Sequence, residues 1–224
     1  MIAAMAKVVG YMKPDIDPGL RLHVPFTEGI GNVAKDYSRH HNHAAFTDVE
    51  WGIGKNGNAG KFNGTSAFCD CGNDESLNIT DEITIEAWVK PNDISGDRAI
   101  VVKGDRDVLT TNYHFGFTNN KLNFVSYDGS NWHDLQSDLS PTVGEWQHLA
   151  AVYTGTKVRF YKNGVEDEKD YNYALIANDD VLRIGNRKYS VPNYQFNGTI
   201  DEVRIYNRAL SAAQNAADCY EACN

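Results

Sequence analysis

Residues 143–165 read VGEWQHLAAVYTGTKVRFYKNGV and hold two strands, two turns and both faces of a sheet in one run. From Trp146 to Tyr153 the side chains alternate, Trp146, His148, Ala150 and Val152 against Gln147, Leu149, Ala151 and Tyr153. Neither set is strongly polar, so this stretch predicts a strand covered on both faces. Thr154-Gly155-Thr156 then turns the chain into Lys157–Lys162. There Val158 and Phe160 face one way, and Lys157, Arg159 and Tyr161 the other. Asn163-Gly164 supplies the positive φ angles of a type I′ hairpin. The run therefore predicts an antiparallel meander with one wet face.

Working outward, residues 83–90 (ITIEAWVK) set Ile83, Ile85, Ala87 and Val89 on one face and Thr84, Glu86, Trp88 and Lys90 on the other. Residues 20–26 (LRLHVPF) alternate too, with Leu20, Leu22, Val24 and Phe26 opposite Arg21, His23 and Pro25. Pro25 donates no ladder hydrogen bond and predicts an edge. Further strands are predicted at 99–103, 113–117, 122–127, 132–136 and 181–185, with turns at Asn119-Asn120 and Asp128-Gly129-Ser130. Residues 32–46 read as a loop. Pro14 to Gly19 break regular structure and set residues 1–19 apart as an arm ahead of a domain at 20–210. Ser211 and Gln214 form a capping box for a short helix in the Cys-bearing tail, 211–224.

A chain of 224 residues buries roughly 70% of its unfolded surface, enough for one self-sufficient all-β domain. A net charge of −9 without a basic stripe argues against nucleic-acid backbone binding. No apolar run approaches the roughly 20 residues needed to cross a bilayer. Residues 1–12 (MIAAMAKVVGYM) lack a basic start and a small-residue cleavage site, so a retained amino terminus is expected.

Four segments resemble the laminin-G-like jelly rolls of the concanavalin A-like lectin and glucanase superfamily: residues 146–164, ITIEAWVKP at 83–91, VLRIG at 181–185, and GTIDEVRIYNRAL at 198–210. With weaker matches at Asp36, Ser38 and Asn42 and at 59–71, the resemblance spans about residues 20–216. It implies an all-β, two-sheet antiparallel sandwich of jelly-roll type with a short C-terminal helix. It also implies a non-catalytic recognition module, a glycan-binding or adhesion domain at a cell or polymer surface. The alternative is a structural surface protein of a virion or other symmetric assembly, placed outside cells or on the virion surface. In that reading the arm, too small to fold alone, docks on neighbouring subunits.

The family position of Asp36 and Asp201, with carbonyls near Asn63, implies a structural calcium site. The alternative is that both carboxylates close turns on backbone amides. Tyr127, Trp132, Tyr189 and Tyr194 sit at loop positions and are the candidates for stacking on sugar rings. Cys69 and Cys71 on a strand, and Cys219 and Cys223 on the tail, are candidates for disulfides stapling tail to sandwich, for reduced thiols, or for a zinc site. His40, His41 and His43 read as loop histidines rather than a metal site. Glu82 to Glu86 (EITIE) looks like the two-Glu core of a glucanase with Thr84 in place of its Asp. The binding-family strand already explains those residues, so no catalysis is expected.

Overall fold

In a computed structural model, which describes residues 17–105, 109–187 and 194–221, the alternating segments become two eight-stranded antiparallel sheets packed face to face. The described strands are β1 (Leu20–Val24), β2 (Val33–Ala34), β3 (Ala44–Thr47), β4 (Glu50–Ile53), β5 (Asn58–Asn63), β6 (Phe68–Asp70), β7 (Ile83–Pro91) and β8 (Arg98–Lys103). They continue as β9 (Tyr113–Thr118), β10 (Lys121–Tyr127), β11 (Trp132–Gln136), β12 (Gln147–Tyr153), β13 (Lys157–Lys162), β14 (Val165–Asp170), β15 (Leu182–Ile184) and β16 (Asn197–Tyr206). Helix α1 (Ala212–Glu221) closes the described chain. The first sheet runs β14-β13-β12-β7-β16-β5-β4, with β1 also paired to β16, and the second runs β11-β10-β9-β8-β15-β6-β3-β2.

The predicted meander is the centre of the first sheet. All seven residues of β12 are buried between β7 and β13, and Asn163 and Gly164 take φ of +50° and +79° in the tight turn to β14. Ile83, Ile85, Ala87 and Val89 point inward as expected. They share one core with Phe115, Phe117, Leu122 and Phe124 of the second sheet.

Three readings need correction. Residues 32–46 contain β2 and β3, strands too short to show a period. A register shift between Leu20 and Leu22 turns Leu20 away from the core toward Tyr206 and Leu210, while Leu22 and Val24 stay inside. His23, placed by alternation on the face opposite the apolar set, is itself buried, against Glu202 at 2.9 Å. The proposed arm falls outside the described residues up to residue 16, and with it the expected docking on a neighbour.

Helix α1 covers the centre of the outer face of the first sheet, over Glu86 and Trp88 of β7. The capping box forms as read: the Gln214 amide donates to Ser211 Oγ at 3.3 Å, and the Ser211 amide to Gln214 Oε1 at 3.1 Å. Cys219 packs on Trp88, with Trp146 beside them, so both tryptophans lie under the helix rather than between the sheets. Cys69 and Cys71 are free thiols in the central core. The expected staple from them to the tail is therefore not made, because the first sheet lies between the two sets; Cys223 lies outside the described residues. Burial pushes both core thiols well above the usual thiol range. A thiol-specific reagent is expected to label Cys69 and Cys71 only after unfolding, and rapid labelling of either in native protein would contradict their placement.

Candidate functional site

The candidate site lies on the outer face of the second sheet, the face that carries Val102, His114 and Val125. Pleating puts one residue of each strand in a transverse row, and strand register fixes that row as Ala45, Asp70, Arg183, Val102, His114, Val125 and Asp134. Arg183 reaches Asp70 at 4.0 Å and lies over the Phe68 ring at 4.1 Å. The charged members of the row are Asp70 and Arg183 on one side and Asp134 at the far end, with Val102, His114 and Val125 between them.

At one end of this face Tyr127 of β10 and Trp132 of β11 are direct cross-strand partners, ring centroids 5.0 Å apart and tilted by 43°. The turn between them is built by Asp128, whose Oδ1 accepts from the Ser130 and Asn131 amides at 2.9 and 2.8 Å. Its other oxygen meets His133 Nε2 at 2.6 Å, and these contacts, the His133 bond first, hold the carboxyl down at about 2. His133 in turn stacks on Tyr173 at 3.4 Å between centroids. Tyr127 also lines a depression of about 120 Å³ with Leu109, Thr110, Gly129, Ile176, Ala177 and Asn178. Leu109 and Ile176 are 52% and 42% exposed, large apolar side chains on the lips of that depression.

Of the four aromatic candidates, the structure brings together Tyr127 and Trp132. Tyr194 lies at the opposite end of the sheet, where its carbonyl accepts from Ala99 and the Arg187 guanidinium covers its ring at 3.3 Å. Tyr189 lies outside the described residues. Sequence reasoning missed Leu109, Ile176 and Tyr173, which belong to segments without strand periodicity and meet Tyr127 and His133 only through the fold.

A larger groove of about 530 Å³ opens beside β1, among Arg21, His40, Asp74, Asp81, Glu82 and Asn207. It contains no Trp, Tyr or Phe, and so offers no ring face for stacking. His40 is tied there to Arg21 at 3.1 Å, and burial, with the guanidinium, lowers its basicity. His43 Nδ1 accepts from the Asp36 amide at 3.0 Å. Among the described residues no three His, Cys, Asp or Glu side chains are grouped as a metal site.

The three residues expected around calcium are each spent on a different loop. Asp36 accepts from the His23 and Ser38 amides at Oδ1, both at 2.8 Å, and from Ser38 Oγ and the Asn42 amide at Oδ2, both at 2.7 Å. Asp201 Oδ2 accepts from the Lys55 and Asn56 amides at 2.9 and 3.3 Å, and Oδ1 from the Glu202 amide at 2.9 Å. Asn63 Oδ1 accepts from the amides of Thr65, Ser66 and Ala67. Oxygens already facing N–H groups present positive hydrogens where a cation would need lone pairs, so this donor set does not fit calcium. Burial, then the neighbouring Glu202, pushes the Asp201 carboxyl up to about 7 against the pull of those amides.

The EITIE carboxylates lie apart, one buried beneath α1 and one on a loop amide. Glu86 is fully buried on the face beneath α1: Asn215 Nδ2 donates to it at 3.2 Å, and His148 and Arg204 each lie 3.7 Å away. Glu82 Oε2 accepts from the Ala209 amide at 3.2 Å. A bulge in β16 between Asp201 and Arg204 lets Glu202, at φ +49°, share this face and join His23 to Arg204, each 2.9 Å away.

Comparison with known proteins agrees with this architecture. A laminin-G family model described as concanavalin A-like lectin/glucanases superfamily matches residues 63–214. No curated protein sequence matches. Among solved structures, domain 4 of AbnA, an extracellular GH43 arabinanase from Geobacillus stearothermophilus solved with arabinotriose, superposes with a TM-score of 0.71 at 22% identity, over 89% of this chain and 98% of that one. The binding domain of Paraclostridial Mosquitocidal Protein 1 gives 0.74 at 17% identity, over 92% and 53%. A structure of botulinum neurotoxin type C, whose cell entry depends on two ganglioside molecules, gives 0.70 at 13% identity, over 91% and 51%. This chain spans about half the length of the two toxin chains, and at these identities the likeness is one of fold.

Proposed function

We propose that this chain, which belongs to the concanavalin A-like lectin/glucanase superfamily, is a non-catalytic glycan-binding module acting at an extracellular surface. The observation that carries the reading is the Tyr127–Trp132 pair at the open end of the second sheet. Two tilted rings on a hairpin present apolar faces to the C–H groups of a sugar, and Asp134, exposed in the row beside them, supplies a hydrogen-bond partner for its hydroxyls. The similar arabinanase domain was solved with a bound trisaccharide, which supports the same ligand class here. No helix of the described residues is long and apolar enough to cross a membrane.

Hydrolysis has no place in this reading. A retaining glycosidase needs two carboxyls about 5 to 5.5 Å apart that both reach the sugar, and Glu86 lies under α1 with no exposed surface. A panel of immobilised oligosaccharides covering arabinan, glucan, N-acetylated and ganglioside-type sugars tests the module. At least one class is expected to bind, and Trp132→Ala or Tyr127→Ala to weaken it by about tenfold or more, roughly 1.4 kcal/mol, without moving the melting temperature. Binding that survives both substitutions would place the site elsewhere, and a blank panel would remove the function.

A further inference from the structure

We infer, on the footing of that glycan-binding reading, that the depression beside Tyr127 takes the acetamido group of an N-acetylhexosamine. The depression is too small for a sugar ring. At roughly 30 Å³ per water molecule, its volume of about 120 Å³ holds about four water-sized groups. An acetamido substituent, with its nitrogen, carbonyl carbon, oxygen and methyl, fits within that space. The ring that bears it then stays outside, against Tyr127 and Trp132.

The lining matches the substituent. Leu109, Ile176 and Ala177 give the methyl an apolar wall, while Thr110 and Asn178 bring polar atoms to the same space. That wall is held in place from behind. Lys103, fully buried as a residue, donates from Nζ to the Asn178 carbonyl at 3.0 Å and to Asn178 Oδ1 at 3.3 Å, and bonds the Asp180 carbonyl. Asn178 Nδ2 donates to the Thr110 carbonyl, and Thr110 Oγ1 to the Asp180 carboxylate. Both sides of the depression are thus tied together before a ligand arrives, which lowers the ordering cost of binding. A hydroxyl in place of the acetamido group would leave the apolar wall against water, and an ammonium would lose its hydration against that wall.

Three trisaccharides with the same β-1,4 backbone separate these cases: chitotriose with acetamido groups, cellotriose with hydroxyls, and the glucosamine trimer with ammonium groups. Titration calorimetry on the full chain is expected to show chitotriose binding about tenfold or more tighter than either of the others. Ala177→Phe fills the depression from its exposed rim and is expected to bring chitotriose down to the cellotriose level, with an unchanged melting curve. Equal binding of chitotriose and cellotriose, a glucosamine trimer that binds as well as chitotriose, or an Ala177→Phe variant that keeps the preference would each overturn the assignment. Trp132-dependent binding of other sugars without any chitotriose preference would sink this inference alone, whereas a chain that binds no glycan would sink both readings.

Discussion

Asp36→Ala is expected to lower the melting temperature by about 10 °C. The carboxylate is buried, and both of its oxygens are doubly occupied, by the His23 and Ser38 amides on one and by Ser38 Oγ and the Asn42 amide on the other. Truncation leaves three backbone N–H groups without an acceptor. At about 1 to 3 kcal/mol for each buried orphan, partly offset by water entering the loop, the loss is about 3 to 4 kcal/mol. For a chain of this size each kcal/mol moves the midpoint by roughly 2 to 4 °C. Asp36→Asn is expected to recover little of it. An amide has one acceptor oxygen, so its NH₂ must face either two backbone N–H groups or the Asn42 N–H. Thermal unfolding of the two variants beside wild type tests this, and an Asp36→Asn protein that melts like wild type would show the oxygens to be less engaged than the distances say. Because amides fill this carboxylate, a chelator is expected to leave the wild-type midpoint unmoved. A drop on adding it would restore the calcium reading.

The same residue shows where sequence reasoning reached its limit. Asp36 was legible as a loop carboxylate with two uses, and nothing local chose between them; the choice lies in donors up to 13 residues away, brought together where the loop returns to β1 and the Tyr37 amide donates to the His23 carbonyl. Strands of the central sheets were readable because they are long and half-apolar, as β7 and β10 are. β14, VEDEKD, was not readable, since an edge strand wet on both faces carries no apolar period. His23 failed for a different reason. Alternation gives the side of a sheet, and it does not say that the far side is covered by its own chain. Trp88 and Glu86 are buried on that same face because α1, almost 130 residues further on, lies over them. At the candidate site Tyr127 and Trp132 were readable from their places flanking a turn, while the depression beside them depends on residues 109 and 176, which no local pattern joins.

The second large effect concerns the buried charge beneath that helix. Glu86 has no exposed surface, and burial, reinforced by Asp218 of α1, raises its carboxyl well above the usual range despite Arg204 nearby. The folded state therefore holds a proton at Glu86 at pH values where the unfolded chain has lost it. Stability contributed by this group is present at low pH and is lost as pH rises from the ordinary carboxylate range through the folded value. While only native Glu86 stays protonated, the loss runs at about 1.4 kcal/mol per pH unit. Glu86→Gln keeps the shape and a donor–acceptor head that the Asn215 amide can meet, and it has no proton to lose. Its stability relative to wild type is expected to climb as pH rises above the ordinary carboxylate range. Taking the difference between the two proteins at each pH cancels shifted groups that do not touch Glu86, such as Asp201, raised to about 7, and Lys103, lowered to about 8 by burial. Denaturant unfolding of both proteins from pH 5 to pH 9 measures that difference. A flat difference would mean that Glu86 is ionised in the fold at every pH tested. Its pairing with Arg204, His148 and Asn215 would then outweigh the burial that α1 imposes.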